Sequence, residues 1–220
     1  MGSSVVVAMD GPSGSGKSST SRGVAGRLGL RYLDTGAQFR ALTWWMLRND
    51  VDLADPAAIA KRAAEPVLES GTDPENPTIT VDGTDVAGPI RTQEVTAAVS
   101  AVSAVPEVRA VLLAEQRRII GDGGIVVEGR DIGTVVAPDA AVKVFLTADP
   151  DARAARRTAE LAGASVEDIH QDLIRRDKHD SGRVAAPLTM AEDAHHIDGT
   201  PYTLDEVIDQ VVALVQKAEA

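Results

Sequence analysis

The string Gly11-Pro12-Ser13-Gly14-Ser15-Gly16-Lys17-Ser18 has the residue types and spacing needed to hold phosphates. Its glycines let the backbone turn tightly with N–H groups pointing inward. The helix that follows adds roughly half a positive charge at its N-terminus. Lys17 has the reach for β- and γ-phosphates, and the Ser18 hydroxyl, with Ser19 next to it, suits Mg²⁺. A dinucleotide-binding fingerprint does not fit, because after Gly14 and Gly16 its third glycine would fall at Ser19. A glycine-rich turn without a ligand is the bland alternative. The complete GxxxxGKS pattern, set between an apolar strand and a helix, favours ATP or GTP.

A triphosphate cradle names a donor and leaves the acceptor open, so other charged clusters must narrow it. In Leu33-Asp34-Thr35-Gly36-Ala37-Gln38-Phe39-Arg40, Asp34 or Thr35 caps a helix and Arg40 follows inside it. Taken alone, that segment fits a capped surface helix with solvated Arg40 equally well. Glu128-Gly129-Arg130-Asp131 ends a buried apolar run, a position from which side chains project into a site. Glu128 there suits a water-mediated contact to Mg²⁺; a strand-end charge paired with a basic neighbour is the alternative.

Late in the chain, Arg153, Arg156 and Arg157 share a helix face, and Arg175, Arg176, Lys178 and Arg183 follow among Asp177 and Asp180. Guanidinium forks bind phosphate oxygens in pairs and stabilise charge on a phosphoryl group in flight. A solvated, ion-paired helix pair is the ordinary reading of the same residues. Segment 178–186, with Ser181-Gly182, is expected to be a loop able to close over substrates. An alcohol acceptor would require a general base. A phosphate acceptor is mostly ionised near neutral pH, its second pKa being about 6, and needs several arginines instead. Arginines from three segments fit the phosphate acceptor better.

The elements that must position these groups are legible from pattern. Apolar runs at 5–9, 124–128 and 141–146, and weaker ones at 31–33 and 194–198, read as strands of a parallel sheet alternating with helices. The first helix is expected to run to about Leu28, another near 56–69, and one to start at Asp149-Pro150. Thr203 and Glu206 form a capping box, followed by an apolar face of Leu204, Val207, Ile208, Val211, Val212 and Val215. Residues 51–88 break the rhythm. There 78–86 alternates around Asp82-Gly83, a hairpin signal, and reads as an inserted lobe beside the site.

The chain of 220 residues carries a net charge of −11, which argues against a nucleic-acid or anionic-membrane binder. It has no cysteine, which excludes disulfides and thiolate catalysis. No membrane span or leader pattern is legible, and a cytoplasmic protein is expected. His195-His196 makes a poor metal site, since adjacent strand residues face opposite ways.

Together the motifs closely resemble the bacterial cytidylate kinase family of P-loop nucleoside monophosphate kinases. The matching strings are Asp10 to Ser18, Leu33 to Ala37, Ile90-Arg91-Thr92-Gln93-Glu94-Val95, Val105 to Arg109, and Gly129-Arg130-Asp131-Ile132-Gly133-Thr134-Val135-Val136. Arg176-Asp177 with Asp180, Arg183 and Ala186-Pro187-Leu188 complete them. The resemblance implies a three-layer α/β fold with a central parallel sheet flanked by helices, an inserted monophosphate-binding lobe and a short lid. It implies a core of 1–34, 105–150 and 190–220, a monophosphate-binding region at 35–104, and a lid at 151–189.

The implied activity is phosphate transfer from ATP to CMP or dCMP with Mg²⁺, in a monomer. Ser100, Arg109 and Asp131 would read cytosine, with Thr35 and Phe39 nearby. Arg40, Arg130 and Arg183 would hold the CMP phosphate, and Arg176 and Asp180 would meet the sugar. Arg153 and Arg157 would supply lid contacts to ATP. Lys17, Arg130, Asp131, Arg176 and Arg183 would carry the transfer, with Ser18 and, through water, Glu128 on the metal. Phe39 stands where many relatives have Tyr, and Glu128 where Asp is common. UMP or AMP kinases, small-alcohol kinases and a non-catalytic nucleotide switch are the rival readings.

Overall fold

The computed structural model describes residues 4–160, 166–183 and 186–220, and within them the side chains at 156, 157, 159, 160, 166–169, 172 and 176 lie outside the description. In chain order the elements are β1 (Val6–Asp10), α1 (Lys17–Leu28), β2 (Arg31–Asp34), α2 (Thr35–Arg48) and α3 (Pro56–Arg62). Then come β3 (Leu68–Ser70), β4 (Ile79–Val81), β5 (Thr84–Asp85), a 3₁₀ turn at Pro89–Arg91, α4 (Gln93–Ser103) and α5 (Pro106–Ile120). β6 (Ile125–Gly129), a π-type turn at Ile132–Val136, β7 (Val142–Thr147), α6 (Pro150–Glu160), α7 (Val166–Gly182), β8 (His195–Asp198) and α8 (Leu204–Ala218) complete it.

Five strands form one parallel sheet in the order β2-β6-β1-β7-β8. Successive side chains alternate between its faces. Val7 and Met9 of β1 join Val24 and Ala25 of α1 and Val207, Ile208, Val211 and Val215 of α8 in one buried cluster. Ala8 points the other way, with Ile125, Val127, Ile119, Ile120 and Val136. Helices therefore cover both faces, which is why the central strands β1 and β6 are buried almost throughout rather than alternating. The register pairs Met9 and Asp34 with Glu128, and Asp10 with Gly129. That levels the carboxyl ends of β1, β2 and β6, where ligands of open α/β sheets sit.

A second apolar cluster joins Leu42, Trp45 and Met46 of α2 to Ile59, Val81, Ile90, Val102 and Leu112. It carries the antiparallel sheet β3-β4-β5. Asp82 and Gly83 turn the hairpin at φ 50° and 76°, the two positive values of the favoured two-residue turn. Trp45 Nε1 donates to Asp82 at 3.1 Å, and the Arg62 guanidinium lies 4.9 Å from the Trp45 ring.

Three expectations need correction. The helix expected over 56–69 stops at Arg62, and Leu68–Ser70 pairs with β4 instead. Pro66 disfavours helix at the residue before it and removes a helical donor. Segment 178–186 is not a loop throughout, because α7 continues to Gly182, anchored by Leu173 against Ala154. Leu204 is not a core residue: at the first position of α8 it stays 48% exposed. The expected strands, the Asp82-Gly83 hairpin, the Asp34 cap and the Thr203–Glu206 capping box are all present.

Candidate active site

The cradle folds where β1 hands over to α1. Gly11 has φ +148°, and a Cβ there would lie 2.0 Å from the Leu146 carbonyl oxygen, so the close approach of two backbones requires glycine. Gly16, at φ 93°, is the left-handed N-cap that turns the chain into α1. Lys17 is buried, and its Nζ donates to the Pro12 carbonyl at 2.7 Å and the Ser15 hydroxyl at 3.5 Å. Burial, then the charge of Arg130, pushes its pKa down, while Glu128 pulls it back up.

Glu128 reaches the cradle from β6. Its carboxylate accepts from the Ser18 hydroxyl at 3.0 Å and from the buried Tyr32 hydroxyl of β2. Burial, then the neighbouring Asp34 charge, raises its pKa. The Thr35 hydroxyl donates to the Glu128 carbonyl at 2.7 Å, which fixes the start of α2 against the end of β6.

One residue further, the chain leaves β6 through Arg130 and Asp131, and this turn is held from below. Asp10, at the end of β1, accepts the Ile132 and Gly133 amides at 2.8 and 2.7 Å. Burial pushes the Asp10 carboxyl up to about 6, against those two bonds. Asp131 is thereby aimed at Arg109 of α5, which donates to it and, at 3.2 Å, to the Ser103 carbonyl. The Arg109 guanidinium lies 5.4 Å from the Phe39 ring. That places the cation beside the ring within the range of a cation–π contact. Arg130 Nε donates to Asp180 of α7 at 2.9 Å, and Arg183 lies 3.8 Å from the other oxygen of the same carboxylate. Burial lowers the Arg183 pKa.

A cavity of about 400 Å³ joins these groups. It is lined by the cradle from Ser13 to Ser19, by Thr35, Phe39 and Arg40, by Ser100 and Arg109, and by Glu128, Arg130, Asp131, Asp180 and Arg183. Arg40 donates to the Thr96 hydroxyl at 3.3 Å. Gly11 and Pro12 shape the cradle from behind and do not line the cavity. Arg153, expected to face ATP, is off the cavity as well. It is buried, donating to the Ser13 carbonyl at 3.1 Å and to Asp177 at 2.5 Å, a strut from α6 to the cradle and α7. The side chains of Arg157 and Arg176 lie outside the described residues.

A sequence model of the cytidylate kinase family matches residues 7–217. The chain belongs to the cytidylate kinase family. Cytidylate kinase of Streptomyces griseus is 62% identical over 216 residues, covering 97% of this chain and 94% of that protein. The Nocardia farcinica enzyme is 54% identical over 216 residues, covering 96% and 93%. That of Mycobacterium leprae is 49% identical over 218 residues, covering 97% and 96%. Two solved structures share the fold at low identity. An uncharacterized protein from Eubacterium ventriosum has a TM-score of 0.55 at 10% identity, covering 98% of this chain and 99% of that one. Shikimate kinase from Acinetobacter baumannii has a TM-score of 0.50 at 15% identity, covering 97% and 93%.

Beside the motifs of this kinase family stand residues that sequence reasoning gave no part in the site. Asp34, read only as a cap, lines the cavity and raises Glu128. Arg91, inside the IRTQEV string, lines it too. Tyr202 and Leu204, 44% and 48% exposed, flank the capping Thr203 and line the cavity. An aromatic and a leucine beside a helix cap were the only signal for the last pair.

Proposed function

We propose that this chain transfers the γ-phosphoryl group of ATP to CMP and dCMP by direct in-line displacement, yielding CDP and dCDP. The observation that carries the reading is the single cavity shared by a triphosphate cradle and the Asp131–Arg109 pair. The core is assigned to 1–34, 105–150 and 190–220, the monophosphate-binding region to 35–104 and the lid to 151–189.

In this reading the amides of Ser13 to Ser19 and Lys17 hold the donor phosphates, whose charge restores the ammonium that burial disfavours. Asp131 accepts from the 4-amino group of cytosine, while Arg109 and Ser100 donate to its acceptor edge. Arg40, Arg130 and Arg183 hold the acceptor phosphate, and Asp180 together with Arg176 meets the sugar. The acceptor oxygen needs no base, because the phosphate is already ionised. Positioning and charge stabilisation therefore supply the catalysis.

Ser18 and, through water, Glu128 would hold Mg²⁺ beside the cradle, their oxygens being the hard donors that ion prefers. When bound, the ion would neutralise charge between the β- and γ-phosphates. Among the described residues no single helix is long and apolar enough to cross a membrane, and we place the enzyme in the cytoplasm as a monomer.

A coupled assay offering CMP, dCMP, UMP, AMP and GMP tests the assignment. CMP or dCMP should lead; faster turnover of AMP or GMP would overturn the base-reading role of Asp131 and Arg109.

A further inference from the structure

Six cationic side chains line the cavity among the described residues: Lys17, Arg40, Arg91, Arg109, Arg130 and Arg183. Five already have partners there. Lys17 donates to Pro12, Arg40 to Thr96, Arg109 to Asp131 and Arg130 to Asp180, and Arg183 pairs with Asp180. Arg91 alone makes no side-chain hydrogen bond or ion pair with the described residues.

Its backbone, by contrast, is firmly held. Ile90 is buried in the cluster that contains Leu42 and Met46 of α2. The Arg91 amide donates to the Gly88 carbonyl at 3.0 Å, and Thr92 immediately caps α4. A short rigid turn thus presents one arginine to the cavity. Arg91 also lines a smaller adjoining cavity of about 90 Å³, together with Ser18, Asp34 and Ala37. It therefore stands on the border between the acceptor lobe and the metal-side end of the cradle. An exposed arginine on a convex surface is ordinarily just solvated. One held at the rim of a concave, anion-binding cavity, with its fork uncommitted, is preorganised for phosphate oxygens.

We propose that Arg91 is a substrate-binding residue that grips the phosphate of the acceptor nucleotide. Its neighbour Ile90 packs in the same apolar cluster as α2, the helix that carries Arg40. This inference rests on the reading of CMP as the acceptor.

The test compares CMP with cytidine, which differs only by the phosphate. Affinities of wild type, Arg91→Met and Arg91→Lys for both ligands are read by protein-observed NMR titration, which reaches millimolar dissociation constants. ATP affinity and melting temperature are measured alongside. Arg91→Met should bind CMP about ten- to a hundredfold more weakly, the loss expected for one charged hydrogen-bonding partner, while cytidine affinity stays within about twofold. Arg91→Lys should recover part of the CMP affinity.

Equal losses for CMP and cytidine would overturn the proposal in favour of a structural role. An unchanged CMP affinity, or a loss confined to ATP, would overturn it too. If wild type binds no CMP, the functional reading itself fails; if wild type binds and the variant binds equally, only the role of Arg91 fails.

Discussion

Replacing Asp131 by Asn is the most direct test of how the base is chosen. The side chain is buried at the cavity wall, and one of its oxygens accepts from Arg109. Arginine only donates, so in Asp131→Asn the amide oxygen must face Arg109 and the amide nitrogen must take the other direction. Cytosine then brings its 4-amino donor to another donor and loses a charge-assisted bond, at a cost of about 1.5–3 kcal/mol. That corresponds to a fall of roughly 10- to 150-fold in kcat/KM for CMP and dCMP. Uracil presents an oxygen at the same position and gains about 1 kcal/mol from the new donor. The CMP/UMP ratio of kcat/KM, read with a coupled assay of ADP formation, should therefore collapse or invert while melting temperature changes little. The reasoning is refuted if both substrates lose activity in parallel, because Asp131 would then serve structure or chemistry rather than base choice.

Gly11→Ala should lower the melting temperature by several degrees. Its Cβ would meet a backbone oxygen at 2.0 Å that no side-chain rotation relieves, and thermal denaturation checks it. Glu128→Gln keeps the shape of the side chain but removes its charge, and should raise the Mg²⁺ concentration for half-maximal rate about tenfold or more; a Mg²⁺ titration at fixed ATP decides. Phe39→Leu removes the ring over which Arg109 sits 5.4 Å away, and should raise KM for CMP a few-fold through the loss of about 0.5–1 kcal/mol, with kcat nearly constant. The Asp10 pKa rises from 3.8 to about 6 on folding, so the folded state binds this proton more tightly. Stability conferred by Asp10 relative to Asp10→Asn should therefore be greatest below pH 3.8 and decline by about 3 kcal/mol as pH rises through 6. Urea melts of both proteins across that window measure it, and a flat difference contradicts the burial argument.

The parts of this site that were legible in the sequence are those fixed by local chemistry. Gly11 to Ser18 announces itself because tight turning, inward amides and a lysine at fixed spacing constrain neighbouring residues. Asp82-Gly83 does so because only such residues accept two positive φ values. What escaped depends on partners distant in the chain. Nothing around Arg153 indicates that its guanidinium is held by the Ser13 carbonyl and Asp177. Asp10 and Tyr32 look like strand residues until the register of β1, β2 and β6 sets one beneath Ile132 and Gly133 and the other against Glu128. The end of α7 follows the same logic: Asp180 in its last turn pairs with Arg130 after β6, a partner 50 residues away that the loop signal at Ser181-Gly182 does not reveal.

The pairing of cations with carboxylates explains how an acidic chain can run a two-anion reaction. At a net charge of −11 the surface as a whole repels polyanions. The cavity reverses that locally: among the described residues six basic side chains line it beside the four carboxylates Asp34, Glu128, Asp131 and Asp180. Full neutralisation would leave no attraction for phosphates, and no carboxylates at all would leave the guanidinium groups unoriented and mutually repelling. Asp131 and Asp180 resolve the conflict by holding Arg109, Arg130 and Arg183 in place while the cavity stays positive overall. The cost of bringing like charges together is thus met during folding rather than during the reaction, the condition under which fixed charges lower a barrier most. A mutation that removes Asp180 should therefore loosen two arginines at once, and its effect on turnover should exceed that of any single sugar contact.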